Sequence, residues 1–504
     1  MTDLEPVLAA AWDGLRLVLA WPNVLYPVGA TLVARVFAFL PGLSGNTLLA
    51  LAVSLTLAWE PLHVMLVFGA FVGAATFMGS VTAILFNVPG SGPSAATLID
   101  GHPLARAGKA RTALGAAALS SALGSTFGIA ALILLVPLMR AAVLALGSPE
   151  LLLLIVWGLA TLAVVTRGSV LKGLAMAGIG LLLSFVGQDP RTGEGRFTFG
   201  LEALWDGLAL APILIGLFSV AEVIDLAASG RRTISGETRG EALSGSAREG
   251  MRAVLKHLPL VLRSSFIGTL VGVVPGLGGT VAGFVAYARA VQGASDRSRF
   301  GHGDIRGVIA PEAAHDAKDG GSLVPTLAFG IPGSDGTALL LAALVLHGFA
   351  PGRELMTNHL TLVFVLIWSL FLSNWLTSAV GLIGVGALAR FTLVRTTLLA
   401  PLVLTLAVLG AFAHSQRAFD VLVAFSFGFL GYFMKKRGWP RIPLVIALTL
   451  GGLFEMHLHI TTRLVSLGRI DLLARPIAAG LLLFTVADLA LPWIRGRHRA
   501  AGRP

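Results

Sequence analysis

The sequence predicts an all-α polytopic membrane protein with about 10–12 transmembrane segments, arranged as two structural repeats with Gly/Pro-broken helices. Three observations support this prediction: 55% of the 504 residues are hydrophobic and only 12% charged, the apolar residues form long blocks, and two Pro-Gly motifs recur in order. An average soluble chain carries about twice that charged fraction. A transmembrane β-barrel would show segments of about 10 residues with alternating polarity, and a disordered chain would lack uninterrupted apolar runs.

Apolar blocks recur along the whole chain. Several are longer than the roughly 20 residues that cross the hydrocarbon layer, among them 112–139 and 360–389. The net charge of +11 comes from Arg and Lys in short loops between the blocks, a pattern that indicates membrane orientation and not nucleic-acid binding. By the positive-inside rule, the basic clusters within 231–263, 435–441 and 495–503 are predicted to be cytoplasmic.

The longest polar stretch lies near the middle of the chain and predicts the domain boundaries. Residues 227–257 are rich in Gly, Ser, Glu and Arg, a composition typical of a linker. We therefore expect a first membrane repeat over 1–226, a polar cytoplasmic linker over 227–257, and a second repeat with C-terminal helices over 258–504. Asp3 and Glu5 stand where a signal peptide has basic residues, so no cleavable signal is predicted.

Two short motifs occur once in each half. Pro-Gly-Leu-Ser-Gly at 41–45 recurs as Pro-Gly-Leu-Gly-Gly at 275–279, and Phe-Asn-Val-Pro-Gly-Ser at 86–91 recurs as Phe-Gly-Ile-Pro-Gly-Ser at 329–334. The offsets of 234 and 243 residues are nearly equal, which indicates an internal duplication. Repeats with Gly/Pro-interrupted apolar segments are typical of secondary transporters, whose sites lie where the broken helices meet.

The backbone at these breaks predicts the binding chemistry. Pro-Gly ends a helix and releases N–H and C=O groups that hydrocarbon cannot satisfy. Half-helix N-termini then favour a carboxylate, while released carbonyls and hydroxyls can coordinate sodium. The alternative is that Pro-Gly only kinks the helix and the hydroxyls only cap it. The predicted substrate-binding residues beside the breaks are Asn87, Gly90, Ser91, Ser94, Thr97, Gly278, Gly279, Thr280, Gly333, Ser334 and Thr337.

Ionisable residues near the second-half breaks are the candidates for ion coupling: Asp335, Glu312, His315 and Asp316. Burying an unpaired charge in a membrane is costly, which favours a functional role. Asp335 could instead lie at a wet helix end or pair with a base. The other three are expected in a polar re-entrant connection or a solvated loop. In the first half, Arg35 either attracts a carboxylate or extends to the lipid headgroups.

Motifs spread over nearly the whole chain carry a family resemblance. They include residues 79–90, 189–200, 268–279, 310–314 and 329–334. As an ordered set they resemble the large permease subunit of the tripartite tricarboxylate transporter family. The resemblance implies a bacterial inner-membrane permease that imports a tricarboxylate or related organic acid. It also implies a periplasmic solute-binding protein and a small membrane subunit (TctB-type) as partners, and a sodium or proton gradient as the driving force, with no other cofactor.

The sequence departs from the family pattern at charged positions. The family usually has two asparagines after Pro-Glu-Ala-x, where His315 and Asp316 stand here. It usually has a small apolar residue at the position of Asp335, and glycines around Arg35 and Phe39. These changes of charge at the expected site weaken any inference about the particular acid.

Other functions stay open. A stand-alone carboxylate/ion symporter without a binding protein, or a channel, would fit the same breaks. An intramembrane serine protease would fit Gly-Leu-Ser-Gly at 42–45, but the repeated motif has Gly278 in place of Ser44, and nothing in the sequence places a histidine base nearby. The chain has no cysteine, no phosphate-loop motif and no His-Glu-x-x-His motif, so we predict neither an enzyme nor a resident metal site.

Overall fold

Helices dominate the computed structural model, which confirms the fold class. It describes residues 4–39, 45–87, 89, 91–165, 169–189, 192–229, 245–391, 396–472 and 474–501. The helices in the first half are α1 (Leu4–Leu19), α2 (Leu25–Phe39), α3 (Gly45–Leu55), α4 (Pro61–Phe86), α5 (Ala95–Leu104), α6 (Ala110–Leu144), α7 (Ser148–Val165), α8 (Val170–Ser184), α9 (Leu210–Leu214) and α10 (Ala221–Ser229). The helices in the second half are α11 (Ala247–Lys256), α12 (Leu258–Val273), α13 (Gly278–Gln292), α14 (Arg306–Phe329), α15 (Asp335–Leu346), α16 (Arg353–Asn358), α17 (Leu360–Phe391), α18 (Thr396–Ser415), α19 (Ala418–Lys436), α20 (Ile442–Ser466) and α21 (Pro476–Ala501).

Short irregular elements complete the described chain. π-Helical segments at Ala105–Lys109 and Ile215–Val220 join α5 to α6 and α9 to α10, and a 3₁₀ turn covers Glu202–Leu204. Gly187–Gln188 and Gly195–Arg196 pair as two antiparallel strands, β1 and β2.

Six helical segments within the described residues are long and apolar enough to cross a membrane. They are Pro61–Phe86, Ala95–Leu144, Leu210–Ala228, Leu360–Leu382, Ala418–Lys436 and Ile442–Ser466. The pair α11 and α12, bent by 80°, would add a seventh. Shorter apolar helices account for many of the other blocks, because the chain breaks them into pieces of 10–17 residues.

The repeated Pro-Gly-Ser motif ends two helices in the same way. α4 stops at Asn87, whose φ is 55°, and α14 stops at Gly330, whose φ is 69°. A residue in this left-handed conformation terminates a helix. After each break a new short helix begins, α5 next to Ser94 and α15 next to Ser334. The first-half break at 40–44 lies outside the described residues.

The two halves interlock. α4 of the first half packs on α17 of the second, and α14 of the second packs on α6 of the first. Likewise α1 packs on α17 and α11 on α6, while α3 contacts α15 and α13 contacts α5. Equivalent helices therefore make equivalent contacts with the opposite half. The arrangement places the broken helices of one half against the long helices of the other.

Small residues allow α14 to approach its neighbours closely. A Cβ added at Gly124 or Gly128 of α6 would overlap the carbonyl oxygens of Ala313 and Ala317 in α14. On the other side, a Cβ at Gly268 of α12 would overlap the carbonyl oxygen of Ala314. Close contact between backbones is how helices associate in a membrane, where the hydrophobic effect does not drive them together.

The predicted linker contains a helix and lies near one basic cluster. Within 227–257, α11 is helical and residues 230–244 are outside the described part. Lys435 Nζ contacts Glu222 Oε2 at 2.5 Å and Asp225 Oδ2 at 2.8 Å, just before that stretch. The second basic cluster and the start of the linker therefore lie at the same end of the helices. The two domain boundaries stay predictions.

Candidate functional site

α14 carries a cluster of buried polar side chains. Glu312, His315, Asp316 and Lys318 are each at most 6% exposed. The expectation that the first three lie in a re-entrant connection or a solvated loop was wrong, since they occupy a continuous helix of 24 residues. The sequence pattern is ambiguous because these charges lower the hydropathy of the segment. In the folded chain α14 faces other helices on several sides, so its charges do not meet lipid.

Glu312 is held by hydroxyl groups from the first half. Ser80 Oγ of α4 donates to Glu312 Oε1 over 2.6 Å, and Thr97 Oγ1 of α5 donates to the same oxygen. Glu312 Oε2 is buried and has no hydrogen-bond partner among the described residues. One oxygen is thus fixed in place, and the other is available for a ligand.

Asp316 is held in a similar way, one helical turn further along α14. Ser121 Oγ of α6 donates to Asp316 Oδ2. Asn374 Nδ2 of α17 donates to Asp316 Oδ1 over 3.2 Å. The two carboxylates therefore connect α14 to four other helices.

His315 lies between these carboxylates with both ring nitrogens buried. Neither Nδ1 nor Nε2 has a hydrogen-bond partner in the described part of the chain. One ligand atom from each of Glu312, His315 and Asp316 lies within 4.8 Å of the other two. Lys318, one turn beyond, forms an ion pair with Asp319. The segment thus combines two oriented carboxylates, an unpartnered imidazole and a buried ammonium group.

Two of the breaks meet at this segment. A Cβ added at Gly279, in the first turn of α13, would lie 2.9 Å from Pro93 Cγ, 3.0 Å from Lys318 Cε and 3.1 Å from His315 Cδ2. A Cβ at Gly92 would lie 2.5 Å from Thr280 Oγ1. The structure therefore brings the 91–97 loop and helix start, the N-terminus of α13 and the polar part of α14 into contact.

The residues of the 86–97 break differ in their surroundings. Ser94 Oγ donates to the carbonyl oxygen of Ser91 over 2.8 Å, so these serines stabilise the turn before α5. Ser94 and Thr97 are buried, whereas Asn87 is exposed at the end of α4. Gly90 lies outside the described residues.

The third break lies further along α14. A Cβ added at Gly333 would lie 2.6 Å from Ser322 Cβ and 2.6 Å from the carbonyl oxygen of Gly272. Ser322 follows His315 by about two helical turns, roughly 10 Å along the axis. Ser334 and Thr337 cap α15, with Ser334 N donating to Thr337 Oγ1 over 2.9 Å.

Asp335 and Gly278 stand at helix starts. Asp335 is exposed in the first turn of α15, where a carboxylate interacts favourably with the helix dipole. Gly278 begins α13 with a φ of 64°. The roles of these residues in binding or ion coupling stay predictions.

Sequence reasoning did not select four polar residues that the fold brings to this site: Ser80, Ser121, Asn374 and Lys318. Each lies in a long helix, and the first three hold a carboxylate of α14. A single serine in an apolar helix is common, so its type alone is a weak signal. Lys318 stood out only as a charge close to the expected site.

Asp100, in α5, fixes the loop that leads into α14. Its Oδ1 accepts hydrogen bonds from the backbone N–H groups of Gly301, Gly303 and Asp304 at 2.8–2.9 Å. Its Oδ2 accepts from Tyr287 OH over 2.9 Å. Asp100 is fully buried, so it acts as an anchor between the two halves beside the site.

Comparison with known proteins gives the family. The profile of the tripartite tricarboxylate transporter TctA family matches residues 24–446. A 52.8 kDa protein of the TAR-I ttuC' 3' region of Agrobacterium vitis is 33% identical over 492 residues, covering 96% of each chain. A protein of the TAR-II ttuC' 3' region of the same organism is 32% identical over 235 residues, covering 46% of this chain and 97% of that protein. No solved structure matches significantly.

The chain therefore belongs to the tripartite tricarboxylate transporter TctA family, as the sequence motifs predicted. It is a multi-pass membrane protein and a large subunit of a tripartite transporter, and it is not an enzyme.

Proposed function

We propose that this chain imports a tricarboxylate or related organic acid, and that the acid binds where the 91–97 loop, the N-terminus of α13 and the polar part of α14 meet. The contact of Gly279 with Pro93, His315 and Lys318 is the observation that supports this site. The N-terminus of a helix carries partial positive charge and unpaired N–H groups, both of which attract a carboxylate.

Lys318 supplies the full positive charge of the proposed site. Its ammonium group is buried and lies on the side of α14 that faces the first turn of α13. Asp319 balances the charge of Lys318, so the pair is stable without substrate. A carboxylate that enters beside α13 would share this ammonium group, and the hydroxyls of Ser94, Thr97 and Thr280 lie on the adjoining elements.

The driving force in this proposal is a sodium or proton gradient. Ionisable side chains near the breaks would bind the coupling ion, and the candidates are Glu312, His315, Asp316 and Asp335. Glu312 Oε2 is buried without a partner among the described residues, so this oxygen is available to a cation.

The proposed partners are a periplasmic solute-binding protein that delivers the acid and a small membrane subunit of the TctB type. The proposed location is the bacterial inner membrane. Membership of a tripartite family supports both proposals, since such large subunits work with these two other components.

Uptake of labelled acids tests the proposal. Cells would express this chain with its small subunit, and a panel of citrate and smaller di- and tricarboxylates would be offered with and without the binding protein. Each acid would be tested under an imposed sodium or proton gradient. We expect saturable uptake of one or a few acids that requires the binding protein and follows one cation.

Three other outcomes would contradict the proposal in different ways. Saturable uptake without the binding protein would indicate a stand-alone symporter. Flux that does not saturate and dissipates with the gradient would indicate a channel. No uptake of any carboxylate, with the chain present in the membrane, would mean that the charges at His315, Asp316 and Asp335 have changed the class of substrate.

A further inference from the structure

The strongest unassigned feature of the structure is the set Glu312, His315 and Asp316. The three side chains share one face of α14, because residues three and four positions apart in a helix are neighbours. They are at most 1% exposed, and their ligand atoms lie within 4.8 Å of one another. Two ligands on opposite sides of one metal ion lie about 4.4 Å apart at most, since metal–ligand bonds to nitrogen or oxygen are about 2.0–2.2 Å, and neighbouring ligands lie closer. Side-chain movement of about 1 Å would bring the three ligand atoms onto one ion.

We propose that Glu312, His315 and Asp316 bind a divalent transition-metal ion together with the carboxylate substrate. The inference deepens the proposed function and rests on it for the identity of the second ligand. It concerns an ion of the Mn²⁺, Co²⁺, Ni²⁺ or Zn²⁺ type, which would complete its coordination with an oxygen of the acid. With that ion bound, Asp335 is the remaining candidate for the coupling sodium ion or proton.

Charge balance supports a divalent ion at this position. Glu312 and Asp316 are two buried carboxylates close together, beside the ion pair of Lys318 and Asp319. Two neighbouring carboxylates in a protein interior repel each other and are costly to keep ionised. A divalent cation neutralises both with a single ion.

The unpartnered atoms support it independently. Glu312 Oε2 and both nitrogens of His315 are buried without hydrogen-bond partners among the described residues. Buried polar atoms are almost always paired, so these three atoms indicate a ligand. One nitrogen of His315 would bind the metal, and the other is available to an oxygen of the acid beside Gly279.

The surrounding hydroxyls resemble the outer shell of a metal site. Ser80 and Thr97 hold Oε1 of Glu312 and leave Oε2 for the ion. Ser121 and Asn374 orient the carboxylate of Asp316. Such outer partners orient ligating carboxylates and usually contribute 10–100-fold to metal affinity.

The imidazole selects among cations. Sodium, magnesium and calcium prefer sites made of oxygen ligands, whereas imidazole suits zinc, nickel, iron and copper, and carboxylates suit manganese. A site of one nitrogen and two carboxylates therefore favours a transition metal over the hard cations.

Metal binding to the purified chain tests the inference without any transport assay. Tag-free protein in detergent would be titrated with Co²⁺, Mn²⁺ and Zn²⁺, and with Mg²⁺ and Ca²⁺ for comparison, by calorimetry and by the visible absorption of bound Co²⁺. We expect one transition-metal ion per chain, and no comparable binding of Mg²⁺ or Ca²⁺. His315→Asn should weaken binding by at least about 100-fold, since it removes a direct ligand, and Thr97→Val by about 10-fold or more.

A matched histidine provides the control. His347 is partly buried, and its nitrogens contact the carbonyl oxygens of Ala343 at 2.7 Å and Thr56 at 3.0 Å. His347→Asn should leave metal affinity within about twofold, because a satisfied imidazole is not available to a metal. The Co²⁺ spectrum of the unmodified chain keeps the test decisive if His315→Asn fails to fold, since nitrogen coordination is visible there directly.

The results separate this inference from the proposed function. Absence of stoichiometric binding, equal binding of Mg²⁺ and Co²⁺, or unchanged affinity in His315→Asn would each overturn the metal site. If uptake of a carboxylate is observed while the chain binds no metal, the inference fails and the proposed function stands. If the metal binds at His315 but no carboxylate is transported, the metal site stands and the proposed function fails.

Discussion

The two halves of the molecule have equivalent helix breaks but different side chains on the equivalent helices. α4 and α14 both end in a left-handed residue before Pro-Gly-Ser, and each packs on the long helix of the opposite half. At the offset of 243 residues, polar positions of α14 correspond to small or apolar positions of α4. Glu312, His315, Asp316 and Lys318 correspond to Gly69, Val72, Gly73 and Ala75.

The same positions allow close backbone packing in one half and carry buried polar side chains in the other. A Cβ added at Gly69 would overlap the carbonyl oxygen of Leu366 in α17, and one at Gly73 would lie 2.6 Å from that of Leu370. In α14 the equivalent positions carry carboxylates, which accept hydrogen bonds from serine hydroxyl groups of the first half. The predicted duplication is consistent with the equivalent backbone breaks, and the two halves differ in the side chains at these positions.

Arg35 is a buried charge of the first half. It is 3% exposed, and its Nε and Nη2 have no partner among the described residues. It does not extend to the headgroups as one interpretation of the sequence expected. The comparison of the halves can be tested at Arg35 and at three residues of the polar site.

Lys318→Gln should have the largest effect. It removes the cation beside the N-terminus of α13 and breaks the ion pair with Asp319. We expect uptake to fall by about 10- to 100-fold, because a charge-assisted hydrogen bond contributes about 1.5–3 kcal/mol and each 1.4 kcal/mol changes affinity about tenfold. Initial rates at matched membrane expression measure the effect.

The double variant Lys318→Gln with Asp319→Asn separates charge balance from binding. We expect the double variant to unfold at a higher temperature in detergent than Lys318→Gln alone, while its uptake stays as low. Lys256→Gln, at an exposed lysine of α11, is the control and should transport normally. Recovery of uptake in the double variant would show that Lys318 has only a structural role.

Gly279→Ala should have the next largest effect. The new methyl group would stand within 3.1 Å of Pro93, Lys318 and His315, where the acid is proposed to bind. We expect uptake to fall about 10-fold or more, since closely packed groups tolerate little added volume. Gly336→Ala provides the control, because nothing lies within 4 Å of the added carbon. Equal uptake by the two variants would place the substrate elsewhere.

Asp100→Asn should lower stability with a smaller effect on substrate affinity. The equivalent position in α15 is Ala343, so this anchor exists in one half only. Loss of the charge that accepts four hydrogen bonds should cost about 1–3 kcal/mol. Thermal unfolding in detergent measures it, and Tyr287→Phe, which removes one of the four bonds, should cost less. An unchanged melting temperature in Asp100→Asn would contradict the anchoring role.

Arg35→Met should have the smallest effect on uptake. If the polar part of α14 is the binding site, removing a buried guanidinium from the opposite half leaves uptake within about twofold. Stability should be unchanged or raised, because replacing a buried charge by an apolar group of similar volume is often neutral or favourable. A loss of uptake of about tenfold or more would mean that the first half also binds the acid.

The sequence alone establishes the membrane class, the family and the helix breaks. Long apolar blocks and Pro-Gly pairs are local features, because length, hydropathy and backbone conformation depend on neighbouring residues. The residues Ser94, Thr97, Gly279 and Thr280 were selected on that basis, and the structure places them together. The same reasoning placed Gly333, Ser334 and Thr337 in one group with them, since all breaks look alike in sequence, whereas in the structure Gly333 lies beside Ser322, further along α14.

Only the tertiary structure decides which charged side chains near the breaks are buried and which groups form hydrogen bonds with them. Whether Glu312 and Asp316 face water or a protein interior depends on helices more than 190 residues away in the chain, through Ser80, Thr97 and Ser121. The sequence does not distinguish a buried carboxylate from an exposed one. A buried carboxylate is stabilised by the hydrogen-bond donors that surround it in the folded chain. Those donors come from the opposite half, so the site exists only after the two halves have packed together.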